Sequence, residues 1–243
     1  MNFDALFHRD SLWPKLTPIA CSICVLVFIG LAMLGDNPTY EQESRWGYYP
    51  DIDIWQGKPW ALITSVFVHL QILHFAFNVY WLWILGNCLE EEVGPGRWLA
   101  FFLGAAWVSS SLQLLTSGDQ GIGMSGVGYA LFGFGWVARH RMPAFKAILS
   151  DQNIMFFMLW LVGCMVATAL NIMSVGNAAH VAGLAFGAAV AGVFVLRWRL
   201  PLAVTGLVLL LGVSIVPLFW SPLSPDWRAL QGIEQFDLSE LDE

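Results

Sequence analysis

The chain has 243 residues, of which 57% are hydrophobic and only 12% charged, and its mean hydropathy is +0.63. A soluble domain carries roughly 25% charged residues, so this composition excludes an ordinary water-soluble globule and places the chain in a bilayer. A net charge of -7 with 11 Lys and Arg excludes a general nucleic-acid binder, which needs clustered cations to neutralise phosphates.

One helix needs about 20 apolar residues to cross the hydrocarbon core, and the sparse charges mark where each crossing ends. The first predicted span is Leu16–Leu34. It is a full crossing without a small-residue cleavage pattern, which argues for a retained helix and against a signal peptide. Its Cys21-Ser-Ile-Cys24 run has no basic neighbour to lower a thiol pKa, so these are expected to be small core residues and not redox or metal ligands. Cys88 and Cys164 have no evident partner; no disulfide, metal or cofactor is expected. The segment Asp36 to Lys58, with Trp46, Tyr48, Tyr49 and Trp55, and then Trp60, is aromatic and reads as an external loop lying partly among the headgroups.

Further spans are predicted at Trp60–Cys88, Trp98–Thr116 and Met124–Ala138. The charge-free window from Gln152 to Leu196 is too long for one crossing, and the polar, Gly-containing run Asn171 to Asn177 divides it into Asn153–Leu170 and Ala178–Leu196. A seventh span, Leu202–Trp220, precedes an acidic tail. The expected fold is all-α, a polytopic bundle of seven transmembrane helices. With alternating crossings, Arg9, Lys15, Arg97, Arg139, Arg141, Lys146, Arg197 and Arg199 share one side, which should be cytoplasmic, while only Arg45, Lys58 and Arg228 fall opposite. The amino terminus is then inside and the carboxyl terminus outside.

A polar group inside hydrocarbon needs a partner or a purpose. The second span holds His69, His74 and Asn78, the fourth begins Gly123-Met-Ser125-Gly126, and the sixth begins Asn177-Ala-Ala-His180-Val-Ala-Gly183. At about 1.5 Å per helical residue, counted from Arg139, Arg197 and Glu90, Ser125 lies roughly 21 Å, His180 roughly 26 Å, His74 roughly 24 Å and Asn78 roughly 18 Å from the cytoplasmic boundary. These four occupy one layer nearer the outer face, on spans that run in the same direction. His69, at roughly 31 Å by the same ruler, is expected at the interface as a packing residue. His74 and Asn78 share a helical face. His180, Gly183, Gly187 and Ala191 form a small-residue stripe that permits close helix approach, and Ser125, Gly128, Tyr129 and Gly133 form a matching face. Close approach is what a Ser–His hydrogen bond between helices requires, and a neighbouring base is what makes a serine nucleophilic. Ser125 also opens its helix, where free N–H groups can stabilise an oxyanion.

At these residues the chain resembles the rhomboid family of intramembrane serine proteases, of the bacterial type. Gly123-Met-Ser125-Gly126 is similar to the family's Gly-x-Ser-Gly, Ala179-His180-Val-Ala-Gly183-Leu-Ala-Phe-Gly187 to its Ala-His-x-x-Gly-x-x-x-Gly, and His74-Phe-Ala-Phe-Asn78 to its His-x-x-x-Asn. The resemblance spans roughly Trp60 to Gly192. It implies a Ser125–His180 dyad without an acid, an oxyanion hole from His74, Asn78 and the Ser125 backbone N–H, Tyr129 orienting the histidine ring, a structural Glu90, and helix packing through Gly126, Gly183 and Gly187. It also implies a cytoplasmic segment over 1–15, a six-helix core over 16–200, an added helix over 201–220 and an external tail over 221–243. The implied partners are transmembrane protein substrates and membrane lipids, and the implied place is the plasma (inner) membrane with the site opening outward. A binding-class alternative is an inactive rhomboid-like protein that escorts membrane clients; its signature would be loss of the Ser or His. A transporter would require ionisable carboxylates or basic groups within the spans, and apart from histidines there are none.

Overall fold

The computed structural model describes residues 15–35, 37–195 and 200–232, and every regular element among them is helical. The amino-terminal segment before Lys15, the Arg197 and Arg199 boundary, and the tail beyond 232 lie outside the described residues. In chain order the helices are α1 (Leu16–Ala32), α2 (Tyr40–Ser44), α3 (Ile52–Trp55), α4 (Ala61–Thr64), α5 (Ile72–Trp81), α6 (Asn87–Val93), α7 (Pro95–Ser117), α8 (Ser125–Ala138), α9 (Pro143–Ile148), α10 (Asp151–Ala169), α11 (Asn177–Val195), α12 (Leu200–Val213) and α13 (Pro225–Leu230). Five helical stretches are long and apolar enough to cross a membrane: Ile72–Val93, Pro95–Ser117, Asp151–Ala169, Asn177–Val195 and Leu200–Leu218. The shorter apolar helices α1 and α8 complete a set of seven.

The expected second span is corrected. It does not run unbroken from Trp60: α4 and a 3-10 turn at Ser65–Phe67 end at Val68, whose ψ is 127°, and the chain is non-helical to Gln71, with ψ 132°, before α5 begins. From there the helix is continuous into α6, through a π-helical turn at Leu82–Gly86.

The bundle is organised around α8, which is buried on nearly every side and makes its most extensive pairing with α11. Small residues allow this. A Cβ on Gly183 would collide with the Gly126 carbonyl, one on Gly187 with the Ala130 carbonyl, and one on Gly133 with the Leu184 carbonyl. The two backbones are therefore in direct contact, the arrangement that small residues permit between membrane helices. Gly128, expected on the same face, borders open space instead.

At the end of the bundle away from Ser125, Glu90 is buried and its carboxylate accepts from the Leu16 and Thr17 N–H groups at 2.6 and 2.8 Å and from Thr17 Oγ1 at 2.7 Å. It thus supplies from another helix the acceptors that the first turn of α1 lacks. Helix α10 stands at the edge: only Phe157, Leu161 and Cys164 are buried. Its seam with α5 is aromatic, with Phe77 5.5 Å from Trp160 and Trp81 4.7 Å from Phe157.

The aromatic segment after α1 is folded onto the bundle. Thr39 and Gln42 form a capping box for α2, and the Trp46 ring lies over Gly30 of α1. Asp51 and Tyr49 clamp the loop between α7 and α8: the Gln120 N–H donates to Asp51 Oδ1 at 3.0 Å, and Gln120 Nε2 donates to the Tyr49 carbonyl at 2.8 Å. The chain after α12 returns to the same region, where Trp55 Nε1 donates to the Pro217 carbonyl at 2.9 Å.

Two outcomes follow from this packing. Gly187→Leu drives a side chain into the Ala130 carbonyl and lowers the thermal midpoint by at least about 5 °C, whereas Gly206→Leu, at a site with nothing within 4 Å, leaves it nearly unchanged. Equal midpoints for wild type and Gly187→Leu would contradict the contact. Burial pushes the Asp51 carboxyl from 3.8 up to about 6, with Asp119 and Asp226 adding to the rise and the Gln120 N–H opposing it. The folded state holds this proton where an unfolded aspartate has lost it, so the contribution to stability falls as pH rises from about 4 to about 6 and is level above. Asp51→Asn keeps an acceptor for Gln120 and removes the charge. In thermal melts it is expected to exceed wild type at pH 7.5 and to converge with it below about pH 4.

Candidate active site

The loop 118–124 delivers the chain to Ser125 at the first residue of α8. With 14 residues, α8 is about 21 Å long against a hydrocarbon core of about 30 Å. It is therefore too short to cross that layer by itself. Gly123 has φ +100°, a backbone state that L side chains avoid, and a Cβ there would lie 2.5 Å from His74 Cε1 and 3.4 Å from Asn78 Nδ2. Glycine thus lets two polar side chains of α5 close over the chain just before the serine.

Ser125 Oγ and His180 Nε2 are 2.8 Å apart. His180 stands in the first turn of α11 and is buried, while Ser125 is half-buried, open on one side. The Tyr129 ring, one turn beyond Ser125, lies 4.7 Å from the His180 ring at 31°, and its hydroxyl donates to the Phe157 carbonyl of α10 at 3.2 Å. His180 Nδ1 has no hydrogen-bond partner among the described residues. The ring is therefore held from its face by an aromatic and from Nε2 by the serine, with no carboxylate behind it.

Asn78 is buried and His74 is half-buried, both beside Gly123. The structure brings the sequence-predicted residues together as two contacts: Ser125, His180 and Tyr129 on one side, His74 and Asn78 around Gly123 on the other. Chemically, a serine O–H bonded to an imidazole can pass its proton to the ring, and N–H donors near the same helix start can receive a negative oxygen.

Two residues were missed by sequence reasoning. His69, expected at the interface, is 1% exposed and lies within the cluster: Asn78 Nδ2 is 3.1 Å and the Met124 N–H 3.2 Å from its Nε2. The helical ruler fails for it because the chain is non-helical from Val68 to Gln71, with a bend at Gln71. Gln113 on α7 accepts the Ala179 N–H at 3.2 Å, capping the turn of α11 that carries His180. A signal for it existed, since Ser109-Ser110-Ser111 and Gln113 are polar groups inside a span.

Residues 56–197 match the family model described as the Rhomboid domain. The chain is 35% identical over 179 residues to Rhomboid protease GlpG of Klebsiella pneumoniae subsp. pneumoniae, covering 73% of this chain and 62% of that protein. It is 32% identical over 192 residues to the protein of the same name from Serratia proteamaculans, covering 77% and 66% respectively. With the Salmonella choleraesuis protein, also Rhomboid protease GlpG, it shares 33% identity over 183 residues, 75% of this chain and 64% of the relative. The chain thus spans just under two thirds of the length of these relatives. Its apolar helices make it an integral membrane protein, and on these matches the chain belongs to the rhomboid family.

Proposed function

We propose that the protein is an intramembrane serine endopeptidase that cuts peptide bonds in or near the transmembrane segments of other membrane proteins. The observation that carries this reading is the 2.8 Å approach of Ser125 Oγ to His180 Nε2 at the start of α8, an apolar helix too short to cross the hydrocarbon core by itself. Relatives named as rhomboid proteases support it.

In this mechanism His180 Nε2 takes the proton of Ser125 as Oγ attacks the scissile carbonyl carbon. The carbonyl oxygen becomes an oxyanion, received by Asn78 Nδ2, His74 and the Ser125 N–H, the donors gathered around Gly123. Hydrogen-bond donors fixed in place before the reaction stabilise such charge without reorganising. Collapse breaks the C–N bond, and His180 Nε2 returns the proton to the leaving amine. Water then attacks the acyl-serine with His180 again as base, releasing the acid product and restoring the Ser125 hydroxyl. Tyr129, tilted against the ring at 4.7 Å, takes over the orienting role that a carboxylate has in the Ser-His-Asp triad.

A substrate helix hides its carbonyls in its own hydrogen bonds, so it must unwind locally to present one; Gly, Pro or polar residues near the cut favour this. Entry is assigned to the α10 side, where only three residues of that helix are buried and its seam with α5 is aromatic, together with the Asn171 to Asn177 loop. The site opens to the external face of the plasma membrane, with the amino terminus inside and the carboxyl terminus outside. The proposed organisation is a six-helix core over 16–200 with α12 as an added helix and a tail beyond it.

Purified protein in detergent is expected to cleave a fluorogenic transmembrane peptide, and Ser125→Ala or His180→Ala to lower turnover by about a thousandfold or more with unchanged melting. Unchanged cleavage by Ser125→Ala would sink the assignment and leave client binding as the surviving reading.

A further inference from the structure

We infer that His69 is a positioning residue that fixes which face of the Asn78 amide meets the reacting carbonyl. The inference rests on the protease reading above and adds to it a residue outside the dyad and the oxyanion donors.

Each end of the His69 ring faces a partner that can play only one role. Nδ1 lies 3.1 Å from the Phe67 carbonyl oxygen, which only accepts, so Nδ1 carries the hydrogen. Nε2 lies 3.2 Å from the Met124 N–H, which only donates, so Nε2 is bare. A bare Nε2 requires a donor from Asn78 as well, and Nδ2 stands 3.1 Å away. Turning the amide over would set the Oδ1 lone pairs against the Nε2 lone pair. At 1% and 5% exposure, His69 and Asn78 have no bulk water to relieve that conflict. The same Nδ2 is the Asn78 atom nearest the position a Gly123 Cβ would take. One of its two N–H groups is spent on His69, and the other is left for an oxyanion. With the amide reversed, a carbonyl oxygen would face the developing negative charge.

The same lone pair does a second thing. By accepting the Met124 N–H, Nε2 holds the backbone immediately before Ser125, so the side-chain donor and the serine turn are referred to one rigid ring. This depends on the break before α5. Along an unbroken helix His69 and Asn78, nine residues apart, would be separated by about 13.5 Å of rise. The non-helical stretch from Val68 to Gln71 instead brings His69 to hydrogen-bond distance.

The test is a double-mutant cycle in the transmembrane-peptide assay, with wild type, His69→Ala, Asn78→Ala and the double variant, all assayed below their melting temperatures. His69→Ala is expected to lower kcat by about tenfold to a hundredfold, less than the roughly hundredfold to thousandfold that outright loss of one oxyanion donor costs because Asn78 is still present, with KM within about twofold. Because it acts largely through Asn78, removing His69 from Asn78→Ala should cost clearly less than the factor that His69→Ala costs in the wild type, the remainder being the Met124 contact. Multiplying losses would mean a merely structural role and would overturn the inference, as would full kcat in His69→Ala. If His69→Ala does not fold, His69→Gln and His69→Met decide. Gln presents an acceptor and should retain most of kcat, Met fills the space without a strong one and should lose it, and equal kcat in the two overturns the inference. Ser125→Ala in the same assay separates the failures: if it cleaves like wild type, the protease reading fails, whereas a dead Ser125→Ala with an additive His69 cycle removes only the role of His69.

Discussion

The backbones of α8 and α11 lie in direct contact, and the geometry of the site follows from that contact. Serine is short and histidine only moderately long, so their side chains meet at 2.8 Å only if the helices bearing them are packed without side chains between. Gly183 against Gly126 and Gly187 against Ala130 provide that approach. Tyr129, one turn on from Ser125, then lies against the His180 ring, and among the described residues no carboxylate meets that ring's Nδ1. Burying an ionised group in a low-dielectric interior costs several kcal/mol, a cost that an aromatic contact on the ring does not carry.

Around this rigid pair the rest of the molecule is graded in firmness. Glu90 ties α1 to the far end of the bundle through three hydrogen bonds, and Gln113 ties α11 to α7 beside the site. The outer loops are clamped by Asp51, Tyr49 and Trp55. By contrast α10 leans on its neighbours mainly through aromatic faces, and the Tyr129 hydroxyl meets one of its backbone carbonyls. Movement of α10 would therefore be felt at the Tyr129 ring that lies against His180.

Much of this was legible in the chain because the charges are scarce. Where spans are regular helices between charged ends, as for Ser125 and His180, counting residues places each side chain in the right layer, and small-residue spacing identifies the packed face. Legibility ended where regularity did. The stretch Val68 to Gln71 is free of charge, Gly and Pro, so nothing in it announces the break that carries His69 into the cluster. Gly128 was read as packing by spacing alone, although which glycines of α8 touch α11 depends on the rotation of the helix. The loop after α1 read as interfacial because it is aromatic; its Thr39 and Gln42 capping pair was the local sign that it folds.

The central claim is that Ser125 is a nucleophile activated by His180. It is tested most directly by treating the folded protein in detergent with a fluorophosphonate probe and locating the adduct by mass spectrometry of its peptides. A single modified serine is expected, Ser125, with its labelling lost in His180→Ala at an unchanged melting temperature. Absence of an adduct at Ser125, or labelling indifferent to His180→Ala, would contradict it.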